Sequence, residues 1–501
     1  MKPQIQLTLL VLLGIAFLGV FLLPLSFMFQ LIFALFYIGA ILVISFYIIL
    51  ERRSSTNTLV WILLILLLPI VGYFFYIYSG QLSRQGILFQ DKRKKAHEVF
   101  DEEEPETGRK DIKPLNGPQE RIRKIVESYA QTPLRNENHV KILTNGQEAF
   151  PEIMEKLKQA KSFIHMEYYL FNSDETGREM KEILKQKAQE GVTVRLLYDS
   201  AGSLKLKKKD VKDMQEAGIE VHVFLPIASG LATQTFNFRN HRKIIVIDNE
   251  IGFVGGMNVG DEYHGISEEF PDWRDTHMVL RGAAIKDLHL IFLVDWWYIT
   301  DENLVEQYST EAIPEPEQPN TNTQVVPSGP HNEHQIMRDV YTTLIHSAKK
   351  SVKIATPYFV PSREIHTALR IAAQQGLDVK LLIPKPSDNW LTYYAGHSYF
   401  PELLEDGIQI YLYEKDFMHH KIMIIDDETA SIGTANMDLR SFYLNFEVNM
   451  ILYGGEPVDK LIENYYKDLE ESSEVIYNEF AKRKTSEKWK EAFARLFAPL
   501  L

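Results

Sequence analysis

No cysteine occurs among the 501 residues of this chain, which excludes disulfides, thiolate metal sites, iron–sulfur clusters and a cysteine nucleophile. Neither a G-x-x-x-x-G-K-[ST] loop nor a strand-associated G-x-G-x-x-G is present, so nucleotide-driven chemistry is not expected. Basic charge is in deficit: 54 Lys and Arg stand against 67 Asp and Glu, a net charge of −13. No broad cationic face is available, so nucleic acid is not an expected partner. Charge is missing altogether from two stretches, Pro3–Leu50 and Ser54–Ser83. The average, 45% hydrophobic and 24% charged, is that of an ordinary globular protein, so the apolar residues are concentrated at one end.

That end reads as a membrane anchor over residues 1–80. From Leu7 to Leu50 a continuous helix would extend roughly 66 Å, about twice the ~30 Å hydrocarbon core. The run is therefore divided near Pro24–Gln30, and spans are expected at 7–27, 31–50 and 58–78. The apolar run is too long for a signal peptide, and further apolar segments follow it at once. Arg52 and Arg53 precede the third span, whereas Arg84, Lys92, Arg93, Lys94 and Lys95 follow it. Positive charge thus falls on both sides, and the sidedness of the remainder stays open.

Residues 81–112 are rich in charge and read as a juxtamembrane linker. A second polar stretch, 311–333, holds five prolines and is expected to be a structureless linker between lobes at 113–310 and 334–501. In each lobe, strand-like runs alternate with helical patterns, the mark of an α/β domain. The lobes are also copies. KSFIHMEYYLF (161–171) corresponds to KSVKIATPYFV (350–360), and GVTVRLLYD (191–199) to GLDVKLLIP (376–384). NHRKIIVIDNEIGFVGGMNVGDEY (240–263) corresponds to HHKIMIIDDETASIGTANMDLRSF (419–442), and DTHMVLRG (275–282) to EVNMILYG (447–454). An internal duplication of one mixed α/β unit is expected to pack face to face about a pseudo-two-fold axis.

The third of these matches carries chemistry. His241, Lys243, Asp248, Gly255 and Asn258 recur at the same spacing as His419, Lys421, Asp426, Gly433 and Asn436. Side chains two apart on a strand share a face, so each His projects with its Lys, and His420 points away. Asp248 and Asp426 belong to the repeated catalytic set by pattern. Their odd offset puts them at a turn, where capping or support is the expected role. Lys and Asn donors suit a phosphoryl group whose oxygens gain charge in the transition state, with Asn258 and Asn436 as phosphate ligands. One imidazole can attack phosphorus to give a phosphohistidine while the other protonates the departing alcohol and later deprotonates the incoming one. The lysines supply the positive charge, so no metal or other cofactor is required. Asp275 and Glu447, at equivalent places on the following strand, are candidates to hold the histidine Nδ1 atoms.

The paired pattern resembles the two HKD motifs of the phospholipase D superfamily. The whole chain resembles the bacterial cardiolipin synthases within it, through RRSSTNTLVWILLILLLPIVGYFFYIYSG (52–80), PDWRDTHMVLRG (271–282), LNFEVN (444–449) and RLFAPLL (495–501). The resemblance implies two phospholipase D-like lobes behind transmembrane helices in a multi-pass protein of the bacterial cell membrane. It implies transfer of a phosphatidyl group between two phosphatidylglycerols, giving cardiolipin and glycerol without nucleotide or metal. Anionic phospholipids, as substrate and product, are the implied partners. It also implies His241 as nucleophile and His419 as acid/base, although near-symmetry of the halves leaves the residues themselves silent on this. Gly256 stands where the family usually has Ser or Thr, and Thr434 keeps that hydroxyl, an implied phosphate contact. A phospholipase D-type hydrolase or a transphosphatidylase for other phospholipids is the alternative reading. A nuclease is disfavoured by the anchor and the acidity, and a scaffold by the intact paired motif.

Exchange of one glycerol phosphodiester for another is close to neutral, so the product depends on which hydroxyl reaches the intermediate. A site that excludes water and admits a second head group gives transfer. Lys205, Lys207, Lys208, Lys209 and Lys212 either meet head groups or form a solvated helix face. At the C-terminus Trp489, Phe493, Leu496, Phe497 and Leu500 share a helical face beside Lys488, Lys490 and Arg495. This is the pattern of an interfacial helix, or of one that packs back on the core. Glu167, Tyr168 and Tyr169 read as a satisfied strand end, and His277 is expected to face away from the site. Oligomeric state is open.

Overall fold

The computed structural model describes residues 3–21, 23–51, 55–79, 85–100, 114–227, 230, 234–309 and 311–498. Arg52, Arg53, Arg84, residues 101–112 of the expected linker and Leu500 lie outside the described residues. The chain divides into two compact units, one of residues 1–90 with 225–238, the other of 91–224 with 239–501.

The first unit is helical, with α1 (Pro3–Phe21), α2 (Phe27–Leu50), α3 (Ser55–Leu67) and α4 (Pro69–Ser79). Three spans were expected, yet among the described residues only α2, of 24 residues, is long and apolar enough to cross a membrane by itself. It begins four residues before the expected 31, and the expected first span, 7–27, stops at Phe21 because Pro24 disfavours helix in the residues before it. The third, 58–78, is interrupted at Leu68 by Pro69, which has no N–H to give and crowds the preceding turn. The interruption is a kink, since the Leu68 N–H still donates to Leu64 O (2.9 Å) and Gly72 N–H to Leu68 O. Ile44, Ile48, Ile65, Tyr73 and Ile77 form this unit's core, with Trp61 edge-on to Tyr76 at 5.7 Å.

In the second unit the duplication is visible strand for strand. Lobe 1 supplies β1 (Arg135–Thr144), β2 (Phe163–Tyr168), β3 (Thr193–Asp199), β4 (Glu220–Phe224), β5 (Arg239–Asn240), β6 (Lys243–Ile247), β7 (Ile251–Gly255) and β8 (Thr276–Gly282). Lobe 2 supplies β9 (Thr321–Ser328), β10 (Ser351–Ala355), β11 (Phe359–Val360), β12 (Asp378–Pro384), β13 (Gln409–Tyr413), β14 (Ile422–Ile425), β15 (Thr429–Gly433), β16 (Met437–Asp438), β17 (Asn445–Leu452) and β18 (Ser472–Glu474). The order β4-β3-β2-β6-β7-β8-β1 in one lobe repeats as β13-β12-β10-β14-β15-β17-β9 in the other. In both, the three outer strands run parallel and the rest antiparallel. The lobes join edge to edge through β1 and β9 in one continuous sheet, where face-to-face packing was expected. Buried strand runs such as KIIVI and IMII put apolar side chains on both faces, as a sheet covered by helices on both sides requires.

Two segments read as linkers are structural. Residues 321–328 form β9, wholly buried and hydrogen-bonded to both β1 and β17, so the prolines around it conceal the strand that joins the lobes. Residues Gln90–Phe100 form a helix whose Lys92, Lys95, Val99 and Phe100 are buried. Its lysines resemble a solvated run in sequence, but Lys92 pairs with the buried Asp295 and Lys95 with Asp301.

Candidate active site

Both histidines enter the site on strands that cross between lobes. Short β5 runs parallel to the start of β17, and the next residue, His241, donates its N–H to Phe446 O at 2.9 Å. In the equivalent place Arg274 bridges Met418, and the His419 N–H donates to Arg274 O at 2.7 Å. This crossing decides which acid meets which ring. His241 Nδ1 lies 2.9 and 3.0 Å from the two Glu447 oxygens, and His419 Nδ1 lies 2.8 Å from Asp275 Oδ2. Each imidazole is thus held by a carboxylate of the opposite lobe. A carboxylate accepts only from Nδ1–H, which leaves Nε2 with its lone pair in the neutral ring.

The lysines stand beside them. Lys243 Nζ donates to His241 O (2.7 Å) and sits 5.3 Å from the Tyr169 ring centre. Lys421 Nζ donates to His419 O and lies 2.9 Å from His419 Nδ1. Aromatic rings complete the walls: Tyr169 is edge-on to His241 at 5.0 Å, and Tyr263 and Trp273 lie 5.5 and 5.2 Å from His419.

Burial governs the protonation of this cluster. It lowers His241 to about 4, against the opposing pull of Glu447, and holds His419 well below the usual histidine value, with Lys421 and Lys243 adding to the effect. It also brings Lys421 down to about 8 and Lys243 well below its ordinary value. Burial raises Asp275 above the usual carboxylate range, more than Lys421 and the Thr276 N–H can offset. Glu447 goes the other way. Burial opposes its ionisation, but His241, Lys243 and the Thr434 hydroxyl together hold it low. The cluster therefore combines neutral imidazoles with poorly compensated ammonium groups, a setting suited to an anion.

The other expected residues divide. Asp248 accepts from the N–H groups of Lys161, Ser162 and Phe163 at 2.7–2.8 Å, and Asp426 from those of Lys349, Lys350 and Ser351. Each lies seven positions along an extended segment from its histidine, about 23 Å. They tie hairpin to strand, with φ of 53° and 56° in tight turns, and take no place in the catalytic set that the pattern suggested. Thr434 is also corrected: its hydroxyl donates to Glu447 Oε2 at 2.6 Å, so it fixes the carboxylate and is not aimed at phosphate. Asn258 Oδ1 accepts from the Leu170 N–H, and Asn436 holds Asp438 while its buried Oδ1 has no partner among the described residues. His420 turns away toward Thr276 Oγ1, as expected. His277 does not face away: it sits two residues beyond Asp275, under Gly255, within the influence of Asp275 and Lys243. In the Lys205–Lys212 cluster, Lys205 pairs with Glu262 and Lys212 with Glu216.

Sequence reasoning missed Tyr169 as a wall of the site, although its repetition as Tyr358 in the duplicated strand was a usable signal. It also missed the support behind His241. Arg242 donates to Glu447 O and Ser328 O and pairs with Asp295, which in turn pairs with Lys92, while Glu167 accepts from Asn240. No local pattern announces these long-range pairs.

Residues 153–270 and 341–469 match the family model described as "Cardiolipin synthase, PLD-like domain", and residues 32–81 match "Phospholipase D-nuclease N-terminal". "Probable cardiolipin synthase YwiE" of Bacillus subtilis (strain 168) is 46% identical over 473 residues, 93% of each chain. A "Cardiolipin synthase" of Geobacillus sp. (strain WCH70) is 43% identical over 466 residues, 92% of each. Among solved structures, the fold is similar to phosphatidylserine synthase of Haemophilus influenzae Rd KW20, with a TM-score of 0.56 over 76% of this chain and 98% of that one. Identity there is 16%, a likeness of fold.

Proposed function

This chain belongs to the cardiolipin synthase family of the phospholipase D superfamily, and on that premise we propose that it condenses two phosphatidylglycerols into cardiolipin and glycerol through a phosphohistidine. The observation that carries the reading is the crossed pairing of each histidine Nδ1 with the other lobe's carboxylate.

His241 Nε2 attacks phosphorus of the first lipid as the bond to its glycerol head group breaks. His419, as imidazolium backed by Asp275, gives its Nε2 proton to the departing oxygen, so glycerol leaves neutral. Its protonation is favoured by the bound phosphate, whose negative charge opposes the burial and the two ammonium groups that otherwise keep the ring deprotonated. A terminal hydroxyl of the second lipid then enters. His419 takes its proton, the oxygen attacks phosphorus, and the P–N bond breaks to restore His241. Lys243 and Lys421 neutralise the non-bridging oxygens throughout. The aromatic walls restrict water, which favours the lipid hydroxyl as acceptor.

Purified protein given head-group-labelled phosphatidylglycerol is expected to release glycerol and cardiolipin in equal amounts. Phosphatidate as the main product would replace this reading with the hydrolase. The anchor is proposed to cross the bilayer by α2, with α1 and the kinked α3–α4 pair as further passes. Single cysteines introduced into this cysteine-free chain give a labelling pattern that counts those passes, and a pattern of one crossing would reject the multi-pass form.

A further inference from the structure

The helix Thr485–Leu496 is inverted relative to an ordinary surface helix. Its buried positions are Glu491 and Ala494, with Ala498 beyond its end, and Glu491 is tied down by Arg483 at 2.7 and 2.5 Å. The opposite face, spaced i, i+4, i+7, carries Trp489, Phe493 and Leu496, which are 73%, 52% and 75% exposed. The helix Trp390–His397 packs beside it: Lys490 Nζ donates to Tyr394 OH at 3.0 Å, and Trp390 is 56% exposed. Two adjacent helices thus leave two tryptophans, a phenylalanine and a leucine to solvent, a pattern that marks an interaction surface.

The surroundings identify the partner. Residues 482–496 hold six basic residues and two acidic ones, in a chain whose net charge is −13. Lys482, Lys484 and Lys488 make no ion pair among the described residues and are exposed. Two copies meeting through this face would set like charge against like charge, whereas an anionic bilayer complements both rim and centre. Tryptophan and lysine together are the side chains that suit the interface between head groups and acyl chains. The patch also adjoins the reaction centre, since Trp390 follows the loop whose Asp388 accepts from Tyr358 OH at 2.5 Å and whose charge reaches Lys421.

We propose that Trp390, Trp489, Phe493 and Leu496 form a membrane-insertion surface by which the catalytic unit seats itself on an anionic phospholipid bilayer. Apolar side chains enter the acyl boundary, the lysine rim meets phosphate, and the active-site mouth is held at the depth of the head groups. The inference rests on the lipid-transfer reading only for the choice of lipid, and its first test does not require turnover.

Because the chain has no cysteine, Trp489→Cys can be labelled at one site with an environment-sensitive fluorophore in the full-length protein reconstituted into vesicles. Gln374→Cys, exposed elsewhere on lobe 2, controls for partitioning of the dye. In vesicles containing phosphatidylglycerol the label at 489 is expected to shift to the blue and to be quenched by brominated acyl chains, less so in phosphatidylcholine alone, with the label at 374 unmoved. An aqueous label at 489, or burial that follows protein concentration in detergent without lipid, overturns the proposal, the latter in favour of a second copy. As a second arm, Trp489→Ser with Phe493→Ser is expected to lose about fivefold or more of the rate on vesicle-held lipid. The same variant keeps its rate on short-chain substrate in mixed micelles. Unchanged vesicle rates would likewise overturn it, whereas a parent protein that binds vesicles without making cardiolipin would refute only the catalytic reading.

Discussion

In the second lobe Glu447 reaches His241 with a side chain held by the Thr434 hydroxyl and the Asn445 amide as well as by the ring. In the first lobe Asp275, one methylene shorter, reaches His419 with only the Thr276 N–H, among the described residues, as a further donor to its oxygens. Gly256, the counterpart of Thr434, has no side chain because the Asp275 carboxylate fills that space: a Cβ there would overlap it. Two residues along, Asn449 binds the Thr434 and Ala435 amides, whereas its counterpart His277 has no ring partner among the described residues. The same motif is therefore clamped on one side and loosely held on the other. Glu447, held low by its partners, fixes the tautomer of His241, which suits the nucleophile's part proposed for that ring. Burial raises Asp275, which suits the acid/base part proposed for His419. On that proposal, a small difference in carboxylate length separates roles that the duplication made equal.

The strongest way to break this comparison is to remove the rings one at a time. His241→Ala and His419→Ala should each lose on the order of a thousandfold or more in kcat, since the two act as one unit. They differ in the intermediate. With a substrate carrying a good leaving group, His419→Ala should accumulate acid-labile phosphorus on the protein, and His241→Ala none. Label trapped only in His241→Ala would reverse the assignment.

Removing the carboxylate charge comes next. Glu447→Gln is expected to cost about 10²–10³ in kcat, or ~3–4 kcal/mol, because the amide can offer the wrong hydrogen-bonding partner to Nδ1. Asp275→Asn should cost about tenfold less, in keeping with the looser hold. Equal losses in steady-state rates would mean that the asymmetry has no bearing on role.

A smaller effect follows from making the lobes alike. Gly256→Thr pushes a Cβ into the Asp275 carboxylate and should lower the rate by about tenfold. Adding Asp275→Glu, which reproduces the Thr–Glu pair of lobe 2, should recover part of it. A double-mutant cycle with additive losses would show that the two positions do not share that space.

How much of this was legible depends on range. His241, Lys243, His419 and Lys421 could be placed from the two-residue strand period and the repeat, because local backbone geometry decides where they point. Asp275 and Glu447 were legible as orienting groups, but not that each serves the other lobe's ring. That follows from β5 running beside β17, a pairing between segments some 200 residues apart. Strand β9 was concealed by neighbouring prolines, and the helix Gln90–Phe100 by lysines that are buried only because Asp295 and Asp301 answer them. Thr434 was misread for a related reason. A hydroxyl at a phosphate site looks like a ligand until the acid that occupies it is located.

The mildest test concerns the lysines, where the lobes differ again. Burial brings Lys421 to about 8, and its ammonium form is the one proposed to stabilise the phosphate. As pH rises through that value the free protein loses the charge, so kcat/KM, already falling about tenfold per unit as His419 loses its proton, should steepen near pH 8 to about a hundredfold per unit. Bound phosphate favours the protonated amine, so the corresponding limb of kcat should lie at higher pH. Lys421→Arg keeps its charge across this range and should abolish that steepening in kcat/KM while lowering the rate throughout, because a planar guanidinium cannot reproduce the ammonium's contact with His419 O. Lys243, against the Tyr169 ring, is the alternative source of such a limb. A profile unmoved by Lys421→Arg but shifted by Lys243→Arg would transfer control of alkaline inactivation to the lobe that carries His241.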